Sequence, residues 1–384
     1  MRGAGRRDAG GRAGWRVLGL FWMVLLLALG GGAAVLQHLG PPPPVSMRSA
    51  VSVAAPPAAM AALAPPAPAP AAAPGPAPAP LVVETTAAVT PIAPPDPALA
   101  EPAPGYPGRS LPRIGPNGQT PMRRYAAVFD TANRLPRVGL LLAGIGLDAA
   151  ASAEAIATLP AGVTLAVSPY AADPTPLLAA ARRAGHEYLL SLPMEPQSYP
   201  LNDPGPHALL TAATAAANRR QLDWALSRFA GYVGVTGALG PSLRGERFAA
   251  SAEAMDPVLR DLAARGLLYV DPRPGSSAPR FATGRTVDVV IDQTAGAAAI
   301  DAALARLDRI AARQGSALGL VQAPLPVTLA RLAAWSHRLA AADLVLAPVS
   351  ALVAPPPAPA VPPLAVPPPA VPPLAAKPGA ETAK

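Results

Sequence analysis

The sequence contains no cysteine and few aromatic residues. Its 384 residues include 5 Phe, 4 Trp and 7 Tyr, so large aromatic side chains contribute little to any core. The absence of cysteine excludes a disulfide framework and every metal site with thiolate ligands. It permits an oxidising compartment without indicating one. Any folded region must therefore be packed mainly with aliphatic side chains.

The net charge of +8 raises the question of a nucleic-acid partner, and its distribution along the chain answers it. Residues 137–352 hold 18 Arg against 17 acidic residues, whereas residues 1–136 hold 11 Arg against 5 acidic residues. The region able to fold is almost neutral, so nothing in it indicates a face that binds phosphate backbones. We predict no nucleic-acid partner.

An apolar run near the N-terminus follows a basic segment. Val17–Leu36 is 20 residues long, enough to cross a hydrocarbon core of about 30 Å as a helix. Against a single Asp8, five arginines precede it, namely Arg2, Arg6, Arg7, Arg12 and Arg16. The positive-inside rule therefore predicts a cytoplasmic segment at 1–14, a transmembrane anchor at 15–36, and a periplasmic domain on a single-pass inner-membrane protein. A cleaved signal peptide is the alternative.

Two segments rich in Pro and Ala flank the region able to fold. Proline prevents the alanines from forming long helices, and the composition favours an extended chain. We predict a linker at 37–135 and a disordered tail at 353–384, where a VPPLA/VPPPA motif repeats. A docking peptide in that tail is an alternative.

Between residues 136 and 352, short apolar runs alternate with Ala-, Leu- and Arg-rich segments of helical length. Runs such as VGLLLA, VTLAVSP and SALGLVQAP are typical of strands in a parallel sheet with helices outside it. Seven or eight such units predict an α/β fold, a (β/α) barrel that is distorted or incomplete. An open doubly wound sheet is the alternative, and either fold places functional residues at the carboxyl ends of the strands.

Few ionisable residues follow the predicted strands. They are Glu195, Asp271, Arg273 and Asp292. The first strand ends at Ala143 and Gly144, which carry no reactive group.

Several segments, taken in order, resemble the divergent polysaccharide deacetylase family, which is related to the NodB-type carbohydrate esterases. They include RVGLLLAGIGL, LPAGVTLAVSPYA, GHEYLLSLPMEP, YVGVTGALGPSL, GLLYVDPRPGSSA, SALGLVQAPLPVTLARLAAW and DLVLAPVSAL. The resemblance covers residues 137–352 and implies a distorted (β/α) barrel. Deacetylation of N-acetyl sugars in the wider superfamily uses a divalent metal ion held by Asp and His, with a carboxylate base and an acid for the leaving amine.

The resemblance also shows where this chain departs from the family pattern. Family members carry an Asp-Asp pair at Ala143 and Gly144, and a His at both Ser191 and Ala323. A family segment with Asn and His aligns with residues 236–240, which read TGALG. Because these side chains hold neither metal nor proton, the resemblance predicts no catalytic residue, no metal ligand and no cofactor.

The four ionisable residues remain as candidates for binding. Asp271 and Arg273 match an Asp-Ser-Arg segment of the family, and Glu195 and Asp292 also match family positions. We predict that these four residues contact a substrate, with a structural ion pair as the alternative for Asp271 and Arg273.

The sequence therefore predicts a membrane-anchored, catalytically degenerate deacetylase-like protein of envelope carbohydrate metabolism that binds a glycan or an envelope protein. One alternative is a weak metal-dependent deacetylase whose site has moved to Asp271, Asp292 and Glu195. Another is a structural tether in which the Pro-rich segments matter most.

Overall fold

The computed structural model describes residues 22–23, 89–291 and 296–356. Of the predicted anchor, Trp22 and Met23 fall in this part, and both are helical. The remainder of the anchor, residues 37–88 of the linker and residues 357–384 of the tail lie outside it. Among the described residues, no helix combines the length and apolarity needed to span a membrane.

Two sheets are present in the described part of the chain. A short antiparallel hairpin joins β1 (Ala100–Pro102) to β2 (Ser110–Pro112). The larger sheet is parallel throughout. Its strands are β3 (Arg137–Ile145), β4 (Val163–Val167), β5 (Tyr188–Ser191), β6 (Gly234–Thr236), β7 (Leu268–Asp271), β8 (Gly284–Thr286), β9 (Val289–Ile291), β10 (Ser316–Val321) and β11 (Val345–Leu346).

Helices connect most of the parallel strands. They are α1 (Pro121–Arg124), α2 (Ala149–Thr158), α3 (Pro174–Arg183), α4 (Ala215–Leu226), α5 (Glu246–Ala250), α6 (Ala252–Ala264), α7 (Ala297–Gln314) and α8 (Pro326–Ser336). Five of them begin at a residue whose side chain accepts a hydrogen bond from the first turn, namely Thr120, Asp148, Asp173, Thr214 and Ser251. Such capping fixes where each helix starts after its strand.

The large sheet curls so that its two edges approach each other. Its strand order is β8-β7-β6-β5-β4-β3-β10-β9, with β11 beside the start of β3. The chain passes from one edge strand to the other through Val287 and Asp288 alone, a path of at most about 11 Å between the flanking Cα atoms. Arg285 bridges this seam, because its guanidinium donates to Ser316 Oγ at 2.8 Å and to Asp288 at 2.9 Å. The predicted α/β fold with an incompletely closed parallel sheet is confirmed, and the doubly wound alternative is not.

Aliphatic side chains fill both faces of this sheet. Those on the inner face include Leu141, Leu189 and Leu320, while Leu140 and Leu190 pack outward against the helices. Alternate strand residues thus supply two apolar layers, which explains why the strands read as continuous apolar runs.

The segment before β3 belongs to the folded unit, which corrects the predicted extent of the linker to residue 135. Ile92, Leu99 and Tyr125 are buried together with the inner-face residues of the sheet. The Tyr125 hydroxyl accepts a hydrogen bond from the Asp96 N–H at 2.8 Å. The high proline content placed the predicted end of the linker too late in the chain. Proline does not exclude folded structure here, because Pro121 occupies the first turn of α1, where proline is well tolerated.

Arg265, just after α6, holds this segment to the sheet. Its guanidinium donates to Glu101 Oε1 at 2.8 Å, to the Pro112 carbonyl at 3.0 Å and to Asp261 at 3.0 Å. Burial lowers the pKa of Arg265, but the carboxylates of Asp261 and Glu101 outweigh it and raise the pKa above its ordinary value. The arginine therefore remains charged and joins the hairpin to α6.

Glu187, just before β5, is buried at the amino-terminal end of the barrel and links three segments there. Its carboxylate accepts hydrogen bonds from Thr164 Oγ1 at 3.0 Å, Ala127 N–H at 3.1 Å, Ser350 N–H at 2.9 Å and Ser350 Oγ at 2.5 Å. The residue is 1% exposed, and burial raises its pKa. One side chain thus joins the approach to β3, strand β4 and the segment after β11.

Candidate functional site

At the carboxyl end of β3 the chain turns at two glycines whose backbones are left-handed. Gly144 and Gly146 have φ of +78° and +87°, a region that favours glycine. A Cβ on Gly146 would lie 2.8 Å from Ala171 Cβ, so no side chain fits there. A Cβ on Gly144 would lie 3.4 Å from Ala323 Cα. Two positions that the family resemblance assigns to Asp and His are therefore adjacent in space.

The floor formed by the strand ends is closed among the described residues. Ala143, Ser191 and Ala238 are 1%, 0% and 1% exposed. Met194 is also buried, and its Cε would lie 2.4 Å from a Cβ placed on Gly237. The Met194 side chain therefore occupies space beside the end of β6, and a ligand reaches the rim of these strands rather than a deep pocket between them.

Glu195 lies at this rim with both carboxylate oxygens bound. Oε2 accepts hydrogen bonds from the N–H and the hydroxyl of Thr211, each at 2.7 Å, and Oε1 accepts one from Arg247 at 3.0 Å. Burial raises the pKa of Glu195, but the Thr211 hydrogen bonds and the Arg247 guanidinium outweigh it and hold the pKa below its ordinary value. Glu195 is therefore a poor proton acceptor at neutral pH.

Asp271 and Arg273, at the end of β7, form a bidentate ion pair. Arg273 Nε lies 2.9 Å from Asp271 Oδ1, and Arg273 Nη2 lies 2.6 Å from Oδ2. The Arg273 N–H also donates to Oδ1 at 3.0 Å. The Arg273 side chain is 24% exposed, against 5% for Asp271. The hydrogen bonds to Asp271 raise the pKa of Arg273, so the guanidinium faces the rim as a permanent cation.

A third pair lies between the first two along the chain. Arg244 Nε donates to Glu246 Oε1 at 2.8 Å, and the Glu246 charge also acts on Arg273. Glu195 therefore pairs with an arginine of α5, and the Asp271–Arg273 pair lies within reach of the charge of Glu246 at the start of α5. Sequence reasoning missed Arg247 because it lies 52 residues from Glu195 on a helix of five residues. Asp292, the fourth predicted residue, lies outside the described residues.

The described residues at the strand ends do not form a site for the divalent metal ion that the family implies, and Asp292 lies outside them. His186 is buried at the opposite end of the sheet, with Nδ1 2.8 Å from the Val163 carbonyl oxygen. His207 stacks on Trp224 at 3.6 Å between ring centroids, and His337 ends α8. In residues 89–291 and 296–356, no three His, Asp or Glu side chains are grouped to hold an ion. Ser191 Oγ is buried there without a hydrogen-bond partner.

Comparisons with known proteins identify one family and two solved structures. A family model described as divergent polysaccharide deacetylase matches residues 140–353. The crystal structure of an uncharacterized protein from Agrobacterium tumefaciens C58 is 35% identical, with a TM-score of 0.59, over 64% of this chain and 100% of that chain. A family 4 carbohydrate esterase from Streptomyces lividans, solved with acetate, is 17% identical over 59% of this chain and 99% of that one, with a TM-score of 0.36. No curated protein sequence is significantly similar to this chain.

Proposed function

Because the chain belongs to the divergent polysaccharide deacetylase family, we propose that it binds an envelope glycan at the strand-end rim and does not hydrolyse it. The observation that carries the proposal is that three carboxylates at the rim are paired with arginines. Glu195, Asp271 and Glu246 are each paired with an arginine, so none is free to activate water or to protonate a leaving amine.

The rest of the strand-end set supports the same proposal. Metal-assisted hydrolysis needs donors that hold the ion while leaving a position for water. Ala143, Gly144 and Ala323 supply no such donors. What the rim offers is a row of guanidinium groups, of which Arg247 is 47% exposed. Such groups donate hydrogen bonds to the hydroxyl and amide oxygens of a sugar without needing to change their protonation.

We expect binding without acetate release. The full-length protein in detergent is titrated with N-acetylated chitin and peptidoglycan oligomers by calorimetry, and acetate is assayed with and without added Zn²⁺. Arg273→Gln should weaken binding about 10-fold, or about 1.4 kcal/mol, through loss of the guanidinium N–H groups that Asp271 does not occupy. The matched control is Arg280→Gln, which makes the same charge change at a 60% exposed side chain paired with Asp256.

Two outcomes would overturn the proposal. Metal-dependent acetate release would favour the weak deacetylase, and Asp271→Asn would then be the first variant to assay. Absence of binding to every oligomer by a folded protein would favour the structural tether. Since removal of Arg273 leaves Asp271 buried and unpaired, the double variant Asp271→Asn/Arg273→Gln serves as the control for folding.

We further propose that residues 15–36 anchor the protein in the inner membrane with residues 37–384 in the periplasm. The apolar run and the five preceding arginines support this orientation. Protease added to intact spheroplasts should cut within residues 37–88 and release a fragment that begins close to Val89, where the described folded unit starts. N-terminal sequencing locates the cut. A fragment protected until the spheroplasts are lysed would contradict the orientation, and release without protease would indicate a cleaved signal peptide.

A further inference from the structure

A cleft of about 350 Å³ lies along α3, away from the strand-end rim. This volume falls within the range of small-ligand sites. Nine residues border it, among them Thr175, Arg182 and Arg228. Two of these residues are arginines and none is acidic, so the lining carries a formal charge of +2.

The guanidinium of Arg228 is held in place by carbonyl groups rather than by an acid. Its Nε donates to the Pro169 carbonyl at 2.7 Å and its Nη2 to the Ala171 carbonyl at 3.4 Å. It also lies 5.4 Å from the centroid of the Trp224 ring. Neutral acceptors orient this cation without neutralising it, and in the described part of the chain Nη1 has no hydrogen-bond acceptor.

Arg182, on the last turn of α3, is held in a similar way. One of its terminal nitrogens donates to the Tyr188 hydroxyl, which in turn donates to the Ala230 carbonyl at 2.9 Å. Burial raises the pKa of Tyr188 to about 12, so this phenol stays neutral and does not neutralise the arginine. No carboxylate of the described residues lies within 4.0 Å of either guanidinium.

A third arginine adds to the excess of positive charge. Burial lowers the pKa of Arg228, and the nearby positive charge of Arg109 lowers it further. Arg109 Nη1 is itself buried with no acceptor among the described residues. A buried donor without an acceptor is costly, and like charges in a partly buried site repel each other. The repulsion between these arginines falls when an anion binds beside Arg228.

The two acidic residues closest in sequence to the cleft each have a partner of their own. Asp96 pairs with Arg124 at 3.7 Å. Asp173 caps α3 by accepting a hydrogen bond from the Thr175 N–H at 3.1 Å. Asp173 keeps its charge between the bordering residues Ala172 and Pro174, so it offsets one of the two arginines and a net positive charge remains.

We propose that this cleft is an oxyanion-binding site for a phosphate or carboxylate group, with Arg182 and Arg228 as its principal donors. Guanidinium groups bind both kinds of anion through paired N–H donors, and Thr175 adds a hydroxyl at the border of the cleft. The site is separate from the glycan rim, and its proposal does not depend on that function.

The test is calorimetric titration of the full-length protein in detergent with sodium phosphate, at an ionic strength held constant with sodium chloride. Binding of one phosphate per chain is expected, and Arg182→Gln and Arg228→Gln should each weaken it about 10-fold or more. Arg313→Gln is the matched control, since it removes one positive charge from an exposed position on α7. Glucuronate in place of phosphate tests the carboxylate class, and glucose is the neutral counterpart that should not bind.

Equal heats for phosphate and chloride, or phosphate binding unchanged in both glutamine variants, would overturn the proposal. Arg228→Gln also removes the hydrogen bonds to the Pro169 and Ala171 carbonyls, so circular dichroism must show that it folds. Arg182→Gln leaves those two bonds intact and provides the independent reading. A loss of phosphate binding with glycan binding unchanged would separate the two sites.

Discussion

Replacement of Glu187 by alanine should destabilise the protein by about 3–5 kcal/mol, because several buried donors lose their acceptor at once at about 1–3 kcal/mol each. The carboxylate has four donors on three separate segments, and alanine would leave those donors buried without an acceptor. Since a domain of this kind is stable by only about 5–15 kcal/mol, much of the total would be lost. Urea unfolding followed by circular dichroism measures the change.

Glutamine should be only a partial substitute for Glu187. Each carboxylate oxygen accepts two hydrogen bonds, so the amide nitrogen of glutamine would face two donors in place of an acceptor. We expect a cost of about 1–3 kcal/mol, because at least one backbone N–H loses its acceptor. Glu154→Gln on the exposed side of α2 is the control, and it should change stability by less than about 0.5 kcal/mol. A similar effect of both substitutions would contradict the role assigned to Glu187.

The raised pKa of Glu187 gives this substitution a pH signature. An acid whose pKa is higher in the folded state binds its proton more tightly there. Its contribution is therefore fully present below the ordinary pKa of 4.5 and is lost as the pH rises through the folded pKa. The free energy of unfolding of the wild type, relative to Glu187→Gln, should fall as the pH rises above 4.5, by up to about 1.4 kcal/mol per pH unit. A difference that rises with pH would contradict the assignment.

Replacement of Arg265 by methionine should have a comparably large effect, about 3–5 kcal/mol, because it breaks buried ion pairs on one side only. The Arg265 side chain is 8% exposed, and Asp261 would keep only its longer contact to Arg219 at 3.3 Å. Loss of the bonds to Glu101 and Pro112 would also free the hairpin, so proteolysis should begin between residues 89 and 136. Arg113→Met is the control within the same hairpin, since its Nε contacts one exposed carbonyl, that of Ala98. Unchanged proteolysis in Arg265→Met would indicate that apolar contacts alone retain the segment.

The sheet could be predicted from the sequence because each long strand is aliphatic and segments of helical length separate most of the strands. Helix α7, for example, lies between the strands β9 and β10. Strand β8, with the sequence GRT, was not predicted, because its pairing with β7 comes from tertiary contacts and leaves no apolar pattern. The segment before β3 was missed for a related reason. Its buried Ile92, Leu99 and Leu111 are isolated among prolines, so no periodicity marks them.

The candidate site was partly predictable for a different reason. Asp271 and Arg273 are two residues apart, and their pairing was weighed from sequence as the structural alternative; the structure contains that ion pair. Glu195 could be placed at a strand end, but its partner Arg247 could not, since only folding brings α5 beside β5. The closure of the floor depends on the path of Met194, which no local pattern specifies. Binding of a substrate by Glu195, Asp271, Arg273 and Asp292 stays a prediction.

The two ends of the described folded unit lie on the same side of the barrel, which decides where a pulling force on the chain would act. The chain enters beside Gly185, where Val89 lies against the turn before β5, and leaves where Ala354 pairs with Gly284 at the start of β8. Both points belong to the amino-terminal pole of the barrel. Tension along the N-terminal flank would act first on the Ile92 N–H bond to the Arg182 carbonyl, and tension along the C-terminal flank on the two backbone bonds between Ala354 and Gly284. Both flanks thus join the barrel at its amino-terminal end, and the rim with Arg273 and Arg247 lies at its carboxyl end.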